Sequence, residues 1–568
     1  MKTASYAAHC NIWVLAITMI FAGAFAFGGQ VQAMPPHPDI AAKIARGEIA
    51  APTMMTTSEA EPGYLKINAP SPQPLPAASG PFKALCLLVD FSDKAAQVSP
   101  YKFDTLVFFD RTGTVRDYYQ EISFGQIDLV TVNLPSSVDW KRAPLTYAYY
   151  VDNNYGTDSP YPHNSQKLCE DMVDLVDPVV NFADYDNNGD GFVDAVMIVH
   201  AGPGAEFTGS PADIWSHKWS ISPRLKDGVR VFDYAVMPEF WSSPGDMTIG
   251  VFCHELGHVF GLTDLYDTDG SSHGTGYWSL MSVGSWNGSR GSSPAHVDAW
   301  SRVQTGWATP LNITTNTSGV SISAVETSGL ILRIWTSGAM GDEYFLVENR
   351  QRTGYDAALP GSGMLIWHID ESVDHNRYEW FPGHTDFGNY LVALEQADNL
   401  YHLEKKQSAG DNGDPFPGVL SNSSFSPVSS PNSDSYAASS SFVAVTNISP
   451  SAATMTADFT VSFTSGNNDD DDPPAIPRLE LGQNCPNPFN PSTSFAYSVP
   501  AAGEIRIDVY NLLGQHVATL LSAYQSIGAY TATWDGRDKS GSAAPSGIYL
   551  YRLTDENSAI VRKMMLIR

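Results

Sequence analysis

The chain of 568 residues is too long for a single hydrophobic core, so we expect several domains. Hydrophobic residues make up 43% of it and charged residues 16%, and the many Gly, Pro and aromatic residues favour strands and loops over long helices. With 32 basic and 61 acidic residues, the net charge is −29. Such an acidic surface excludes nucleic acid as a partner, because nucleic acids are polyanions. It suits a secreted protein that binds divalent cations.

Residues 1–33 have the features of a secretory signal peptide. Lys2 supplies the positive charge, the stretch Ile12–Phe27 is apolar throughout, and Val31–Ala33 gives the small-x-small pattern that precedes a cleavage site. An uncleaved membrane anchor is the alternative, but the apolar stretch is shorter than the ~20 residues that a membrane span needs. We therefore expect a secreted protein with no stable membrane span once the signal is removed.

Residues 34–79 are rich in Pro, Ala and Met and contain one short helical stretch. In a secreted enzyme such a segment indicates a propeptide, and a disordered N-terminal arm is the alternative. The segment contains no cysteine, so a thiol cannot block a metal site here. If the segment confers latency, a carboxylate such as Asp39 or Glu48 would have to do so.

The cysteines that remain after signal removal are too few for a disulfide scaffold in a chain of this length. Buried free thiols are the simpler interpretation. These residues are Cys86, Cys169, Cys253 and Cys485.

Hydrophobic patterning changes along the chain and predicts a multidomain protein. Buried strands first alternate with helices, which predicts an α+β domain. Short strands with turn signals follow and predict an all-β region, and an acidic, proline-rich stretch after them should be an unfolded linker. Alternating residues near the C-terminus predict a small Ig-like β-sandwich. The predicted boundaries are 80–310 for the α+β domain, 311–464 for the β-rich domain, 465–477 for the linker and 478–568 for the C-terminal domain.

The stretch "CHELGHVFGLTDLYD", Cys253–Asp267, has the spacing of a metal site. Residues four apart lie on the same face of a helix, so His254 and His258 can bind one Zn²⁺ through their imidazole nitrogens. Glu255 can then reach a zinc-bound water without ligating the metal, and can accept its proton during attack on a peptide carbonyl.

A third zinc ligand is predicted just after the helix. Gly261 can end the helix with a positive φ, and the turn allows Asp264 to return to the metal, with Asp267 as its local competitor. Two surface histidines on an ordinary helix are the alternative, because the short motif arises often by chance. The continuation to Gly and Asp, and Met281 at the position of a methionine turn, favour a catalytic zinc instead.

Several stretches, in order, resemble the immune inhibitor A-like family of secreted zinc metallopeptidases. They are "DYDNNGDGFVDAVMIVHAG", "DIWSHKW", "VFCHELGHVFGLTDLYD", "YWSLMSVGSWNG", "PAHVDAWSRVQTGW", "EYFLVENRQRTGYDAALPGSGMLIWHIDE" and "GDNGDPFPG". The resemblance covers about residues 82–463. It implies a metzincin-like zinc endopeptidase, made as a precursor, that hydrolyses proteins or peptides. It also implies His254 and His258 as ligands and Glu255 as the catalytic base, whereas Asp264 rests on the Gly-x-x-Asp spacing.

A second cation site is predicted in "DYDNNGDG", where oxygen donors alternate around glycines. Such donors can surround one Ca²⁺ as in an EF-hand loop, although Ala195 replaces the Glu that ends that loop. An Asp/Asn/Gly turn without metal is the alternative. The predicted Ca²⁺ ligands are Asp184, Asp186, Asn188, Asp190 and Asp194. Asp411 and Asp414 in "GDNGDPFPG" form a weaker candidate.

Further polar and aromatic residues lie near these motifs. Core packing is the expected role of each, and one of them could stabilise the oxyanion of the reaction, but the sequence does not identify it. They are Trp215, His217, Trp219, Tyr277 and Trp278. His368 and His375 are predicted to be structural.

The last ninety or so residues, with "LGQNCPNPFNPSTSFAYSVPAAGEIRIDVYNLLGQHVATL", "GIYLYRL" and a basic end, resemble the C-terminal sorting domains of type nine secretion substrates. This resemblance implies that the secretion machinery is a partner. It also implies export through the periplasm of a Gram-negative bacterium to the medium or the cell surface. An Ig-like accessory domain that binds carbohydrate or protein is the alternative.

The sequence therefore favours a secreted zinc endopeptidase. The alternative is a surface adhesin on a non-catalytic peptidase scaffold. The complete set of His254, Glu255 and His258 argues against the adhesin, because a binding protein does not need the base.

Overall fold

The computed structural model describes residues 31–53, 80–385 and 388–462, together with 479–482, 484, 487, 489–499, 503–512, 514–525, 528–555 and 559–568. The predicted signal peptide up to residue 30, the predicted propeptide from 54 to 79, the predicted linker 465–477 and Cys485 lie outside the described residues. Within the described residues, no helix is long and apolar enough to cross a membrane.

The N-terminal part of the chain alternates strands and helices, as predicted for an α+β domain. Its strands are β1 (Gln32–Ala33), β2 (Gly80–Lys83), β3 (Leu85–Asp90), β4 (Ile127–Val130), β5 (Lys141–Arg142), β6 (Val196–Pro203), β7 (His217–Lys226) and β8 (Val229–Phe240). Its helices are α1 (Pro38–Ala45), α2 (Tyr101–Phe103), α3 (Val115–Ile122), α4 (Pro135–Val138), α5 (Tyr147–Val151), α6 (Ser165–Val176), α7 (Ala205–Thr208), α8 (Gly250–Val259) and α9 (Ala299–Gln304).

A six-stranded sheet in the order β1-β7-β8-β6-β3-β5 forms the centre of this domain. Strands β5, β3, β6 and β8 are parallel, whereas β7 is antiparallel to β8 and β1 is antiparallel to β7. Every residue of β3 is buried, as expected for a central parallel strand that is covered on both faces. One face packs against Tyr118 of α3 and Phe252 of α8, and the other against Tyr150 of α5 and Leu168 of α6.

The region after α9 consists mainly of strands. They are β9 (Leu311–Ile313), β10 (Thr317–Ser323), β11 (Leu332–Ile334), β12 (Glu343–Arg350), β13 (Gly363–Asp370), β14 (Val392–Leu394), β15 (Ala444–Thr446) and β16 (Thr454–Thr460), with one short helix, α10 (Val325–Ser328). They form a sheet in the order β14-β13-β12-β11-β9 and a second sheet in the order β10-β16-β15. Leu346 and Trp367 of the first sheet share a core with Phe252 and Leu256 of α8, so this region packs against the helix that carries the motif.

The C-terminal domain is a β-sandwich with its own core. Its strands are β17 (Glu480–Leu481), β18 (Thr493–Val499), β19 (Gly503–Asn511), β20 (His516–Gln525), β21 (Gly528–Trp534), β22 (Gly547–Thr554) and β23 (Ala559–Leu566). One sheet has the order β17-β18-β21 and the other β20-β19-β22-β23. Phe495 and Trp534 of the first sheet belong to the same hydrophobic cluster as Ile507 and Tyr551 of the second. The predicted multidomain order, α+β followed by β-rich parts, is therefore confirmed.

Cys86, Cys169 and Cys253 are buried free thiols, as predicted. None of them reaches another cysteine within the part of the chain that the structure describes.

Candidate active site

Helix α8 carries the two histidines and the glutamate of the motif through the centre of the domain. All of its residues from Gly250 to His258 are buried. Gly261 has a φ of +85°, so the chain turns sharply after the helix, as the sequence predicts. Met281 packs against the helix at Gly257, where an added Cβ would lie 2.7 Å from the methionine sulfur. The helix therefore packs against Met281 on this side.

Three side-chain atoms meet at one point beside this helix. The Nε2 atoms of His254 and His258 each lie 3.2 Å from Oδ1 of Asp264. All three atoms lie within 4.8 Å of one another. None of them has a hydrogen-bond partner of good geometry within the described structure, and neither do the two carboxyl oxygens of Glu255.

Backbone carbonyls fix the orientation of both imidazole rings. Nδ1 of His254 donates to the carbonyl of Leu280 at 3.0 Å, and Nδ1 of His258 donates to the carbonyl of Leu262 at 2.8 Å. Because a carbonyl only accepts, the proton of each neutral ring is on Nδ1, and the lone pair of Nε2 faces the common point. This is the arrangement that metal-ligating histidines adopt in proteins.

The ionisation states also fit a cation at this point. Burial lowers the pKa of His258, which keeps the ring neutral. Burial raises the pKa of the Asp264 carboxyl, but the two histidines outweigh this effect and lower that pKa to about 2. Burial, followed by the charges of Asp264 and Glu206, raises the pKa of Glu255 well above its usual value. Buried polar atoms without partners are costly, and a bound cation would satisfy the three converging atoms.

Asp267, the alternative third ligand, hydrogen-bonds within the turn that follows it and not with the two histidines. Its Oδ2 accepts hydrogen bonds from the hydroxyl groups of Ser271 and Ser272 at 2.8 and 2.7 Å and from the backbone N–H of Ser272 at 2.8 Å. Its Oδ1 accepts from the N–H of Asp269 at 3.0 Å. Asp267 therefore organises the turn after the motif, whereas Asp264 reaches the histidines.

The described N-terminal segment, residues 31–53, covers the site. Strand β1 pairs antiparallel with β7, Ala33 facing His217. Beyond β1, the N–H of Met34 donates to the carbonyl of Ser216 at 3.1 Å, and Nε1 of Trp215 donates to the carbonyl of Met34 at 2.8 Å. Met34 is fully buried. The signal-peptide boundary predicted after Ala33 falls inside this segment, so cleavage there would leave Met34 as the N-terminus.

The predicted latency residues do not reach the site. The side chain of Asp39 is 87% exposed, and Glu48 pairs with Arg46 on the surface. The prediction is wrong for Asp39 and Glu48, because both lie on the outer side of a segment whose backbone faces the site. Instead, the N–H of Ala33 approaches Oδ2 of Asp264 at 3.4 Å, and the hydroxyl of Tyr266 donates to the carbonyl of Ala33 at 2.8 Å.

Several predicted contact residues lie near this segment. Trp215 is buried and holds Met34, while His217 is buried with Nδ1 bonded to the carbonyl of Trp215 and Nε2 to the hydroxyl of Ser165 at 2.8 Å. Trp219 and Tyr277 are half-buried, and Trp278 is buried with Nε1 bonded to Asp414 at 2.9 Å. Tyr266 and Trp286 were missed by the sequence reasoning. The only sequence signal for Tyr266 is its position two residues after the predicted ligand Asp264.

The loop predicted to bind calcium is held by its own acidic side chains. Asp186 accepts hydrogen bonds from the N–H groups of Gly189, Asp190 and Gly191. Further N–H groups of the loop donate to its side chains: Asp190 to Asn188, Phe192 to Asp190 and Asn187 to Asp194. Asp184 lies just before the loop, in a turn of 3-10 helix at Phe182–Tyr185. Burial raises the pKa of Asp194 to about 6, and the charges of Asp190 and Asp186 add to this shift.

A different group, Asp398, His402 and Asp411, brings three possible ligand atoms within 4.8 Å of one another. Asp414, predicted with Asp411, is buried and accepts hydrogen bonds from the N–H of Asp411 and from Trp278.

A buried helix with two histidines and a glutamate, with an aspartate and a methionine nearby, is an arrangement that metallopeptidase domains have. Residues 105–308 match the family described as immune inhibitor A peptidase M6, catalytic domain, and residues 491–559 match the FlgD Ig-like domain. The chain thus contains a peptidase M6 catalytic domain, which is a metalloprotease domain, and a C-terminal Ig-like domain.

Two curated relatives support this assignment. The pre-pro-metalloprotease PrtV of Vibrio cholerae serotype O1 is 31% identical over 278 residues, which cover 39% of this chain and 29% of the relative. Immune inhibitor A of Bacillus thuringiensis subsp. alesti is 34% identical over 208 residues, which cover 31% of this chain and 29% of the relative. The chain thus spans less than a third of the length of each relative.

Among solved structures, OgpA from Akkermansia muciniphila covers 89% of this chain and 97% of its own, with 11% identity. Its TM-score of 0.20 is too low to indicate a common fold.

Proposed function

We propose that this protein is a secreted, metzincin-like zinc endopeptidase that hydrolyses peptide bonds of extracellular proteins. The observation that carries the proposal is the convergence of Nε2 of His254, Nε2 of His258 and Oδ1 of Asp264, all without hydrogen bonds. Two imidazoles and one carboxylate form a donor set that suits Zn²⁺ and leaves a position open for substrate. When bound, Zn²⁺ supplies Lewis-acid chemistry, which lowers the pKa of water and polarises a carbonyl oxygen.

Glu255 is the general base in this proposal. Its carboxyl is buried beside the ligands and has no hydrogen-bond partner among the described residues, so it is free to take a proton. A cation nearby would bring its pKa down again, because positive charge favours the carboxylate. Glu255 accepts a proton from the attacking water and delivers it to the leaving nitrogen. The water oxygen joins the carbonyl carbon, the C–N bond breaks, and the products are a carboxylic acid and an amine.

The segment 31–53 makes this peptidase latent in our proposal, which requires that signal cleavage precede Val31 rather than follow Ala33. Its backbone occupies the edge of β7 beside Asp264, where a substrate would have to bind. The precursor name of the PrtV relative agrees with a latent form of that protein.

The test is the variant Glu255→Gln, compared with the wild-type protein and with the wild-type protein treated with a zinc chelator. We expect one zinc per chain in both proteins and a loss of casein hydrolysis of about 10²–10⁴-fold in the variant, because the base is not a ligand. Loss of zinc together with activity would move Glu255 into the ligand set. A wild-type protein that binds zinc but cuts no protein would favour the surface adhesin.

The C-terminal domain is proposed to direct secretion rather than catalysis. It has its own hydrophobic core, which is consistent with an independent module. Removal of the chain from residue 478 onward should leave zinc binding and proteolysis intact, while the shortened protein accumulates in the periplasm. Normal export of the shortened protein would contradict the sorting role. Normal export with loss of proteolysis would instead identify a domain that binds substrate.

A further inference from the structure

We infer that Tyr266 is a catalytic residue whose hydroxyl donates a hydrogen bond to the carbonyl oxygen of the peptide bond being cleaved. The inference rests on the proposed endopeptidase function and names a catalytic group that the motif does not contain. The inference is based on the contacts that the N-terminal segment, residues 31–53, makes in the site.

The segment around Ala33 lies as an extended peptide substrate would. Strand β7 is at the edge of the main sheet, and β1 adds to this edge in antiparallel register. An extended peptide that adds to a sheet edge is held by its main chain, so its sequence matters little for this part of binding. The pairing continues to Met34, whose N–H donates to the carbonyl of Ser216. The backbone of residues 32–34 therefore stands in for a substrate backbone.

The peptide bond between Ala33 and Met34 lies beside Tyr266 and the proposed ligand Asp264. On its carbonyl side, the oxygen of Ala33 accepts from the hydroxyl of Tyr266 at 2.8 Å. On its nitrogen side, the N–H of Met34 donates to the carbonyl of Ser216 at 3.1 Å, so the sheet edge fixes this amide. The carbonyl oxygen of this bond thus faces a fixed donor, beside the proposed ligand Asp264, whose Oδ2 lies 3.4 Å from the N of Ala33.

Tyr266 is rigid enough for this role. It is 5% exposed and packs in a cluster with Ala33, Ala205 and Trp215. Its ring centroid lies 6.5 Å from that of His254, one of the proposed metal ligands. During hydrolysis, negative charge develops on the carbonyl oxygen, and a preorganised donor aimed at that oxygen stabilises the transition state.

Other polar residues near the segment do not meet this requirement. Nε1 of Trp215 donates to the carbonyl of Met34, one residue beyond the carbonyl that Tyr266 contacts. Both ring nitrogens of His217 are already engaged, with the carbonyl of Trp215 and the hydroxyl of Ser165. Among the described residues, Tyr266 is the side chain that donates to the carbonyl of Ala33.

The kinetic test compares Tyr266→Phe with the control Tyr277→Phe, using the activated, zinc-loaded enzyme and a fluorogenic peptide. For Tyr266→Phe we expect kcat to fall about 10²–10³-fold, as for loss of one oxyanion donor, with KM changed less than about threefold and zinc content unchanged. The control should keep kcat within about twofold, since nothing places it at the reacting bond. An unchanged kcat, or a rise in KM alone, would overturn the inference and leave the endopeptidase function standing. If the zinc-loaded wild-type protein cleaves no peptide, both the inference about Tyr266 and the proposed endopeptidase function are wrong.

A second readout does not depend on activity. The protein for this experiment is secreted with a signal sequence that is cleaved before Val31, so that Ala33 stays attached. It also carries Glu255→Gln, which prevents self-cleavage. After zinc removal, hydrogen exchange is measured at the N–H of Met34. Adding Tyr266→Phe should speed this exchange about fivefold, because a hydrogen bond that holds the segment is lost. Adding Tyr277→Phe should not change it. Equal exchange rates in both variants would contradict the contact on which the inference rests.

Discussion

Nε1 of Trp286 donates a hydrogen bond of 2.9 Å to the carbonyl oxygen of Pro35, a residue 251 positions earlier in the chain. Trp286 also packs against Trp241 and against His37, with ring centroids 4.9 and 5.0 Å apart. Together with Trp215, which holds the carbonyl of Met34, it fastens the N-terminal segment over the site by backbone contacts.

Removal of this segment should activate the protein. A specific protease site inserted between residues 54 and 79 would allow the purified protein to be cut and the segment to be washed away. We expect hydrolysis of a short peptide to rise at least about tenfold after the cut, because the edge of β7 becomes available to substrate. Rates are measured before and after cutting.

The variant Trp286→Phe should raise the rate of the uncut protein, since it loses the bond to Pro35 but keeps an aromatic ring. Trp300→Phe is the matched control, because Nε1 of Trp300 bonds to Glu371, away from the segment. A rate that stays constant after cutting would show that the segment does not limit access.

The pair Asp264→Asn and Asp267→Asn tests the third ligand. Asp264→Asn should weaken zinc binding at least about 100-fold, because a neutral amide replaces the anionic oxygen between the histidines. Asp267→Asn should keep its zinc and lose on the order of 1 kcal/mol of unfolding free energy, since part of the hydrogen bonding to Ser271 and Ser272 is lost. Zinc affinity is measured by competition with a chelator. Weaker zinc binding in Asp267→Asn but not in Asp264→Asn would identify Asp267 as the third ligand.

Calcium should stabilise the protein through the loop Asp184–Asp194. At a Ca²⁺ concentration about 100 times Kd, the gain in unfolding free energy would be about 2.7 kcal/mol, visible as a higher Tm. Asp186→Asn and Asp190→Asn should remove this gain, whereas Asp398→Asn, which alters the separate group around His402, should keep it. If Ca²⁺ leaves the Tm of the wild-type protein unchanged, the loop is a turn without a cation.

His368 should make stability depend on pH. Its Nε2 and Nδ1 lie 3.0 Å from carboxyl oxygens of Glu343 and Glu395, and its ring stacks on Tyr436 at 4.0 Å. Burial lowers the pKa of His368, but the two carboxylates outweigh this effect and raise the pKa to about 9.

Because this folded-state pKa exceeds the unfolded value of about 6.5, the stabilisation is complete below about pH 6.5 and is lost as the pH rises through about 9. The stability difference between the wild-type protein and His368→Gln should therefore shrink by on the order of 3 kcal/mol over this range. Urea unfolding at several pH values measures it. His375→Gln, at a half-exposed histidine, is the control and should show no such trend. A difference that is independent of pH would mean that His368 is neutral in the folded protein.

Features of this protein that depend only on neighbours along the chain were predictable from the sequence. The spacing of His254 and His258 puts both on one helix face whatever surrounds the helix, and Gly261 allows the turn that brings Asp264 within reach. The alternation of residues predicted the strands of the β-rich region and of the C-terminal sandwich, because each strand has one face in a core.

What covers the proposed site depends on the tertiary structure. Segment 31–53 binds mainly through its backbone, and a backbone that pairs with a sheet edge has no characteristic sequence, so the sequence pointed to Asp39 and Glu48 instead. Tyr266 meets Ala33 across 233 positions because β1 adds to β7 at the sheet edge. The choice of Asp264 over Asp267 likewise depends on Ser271 and Ser272, which occupy the oxygens of Asp267. Spacing shows which side chains share a helix face, but contacts between distant segments depend on how the sheet orders its strands.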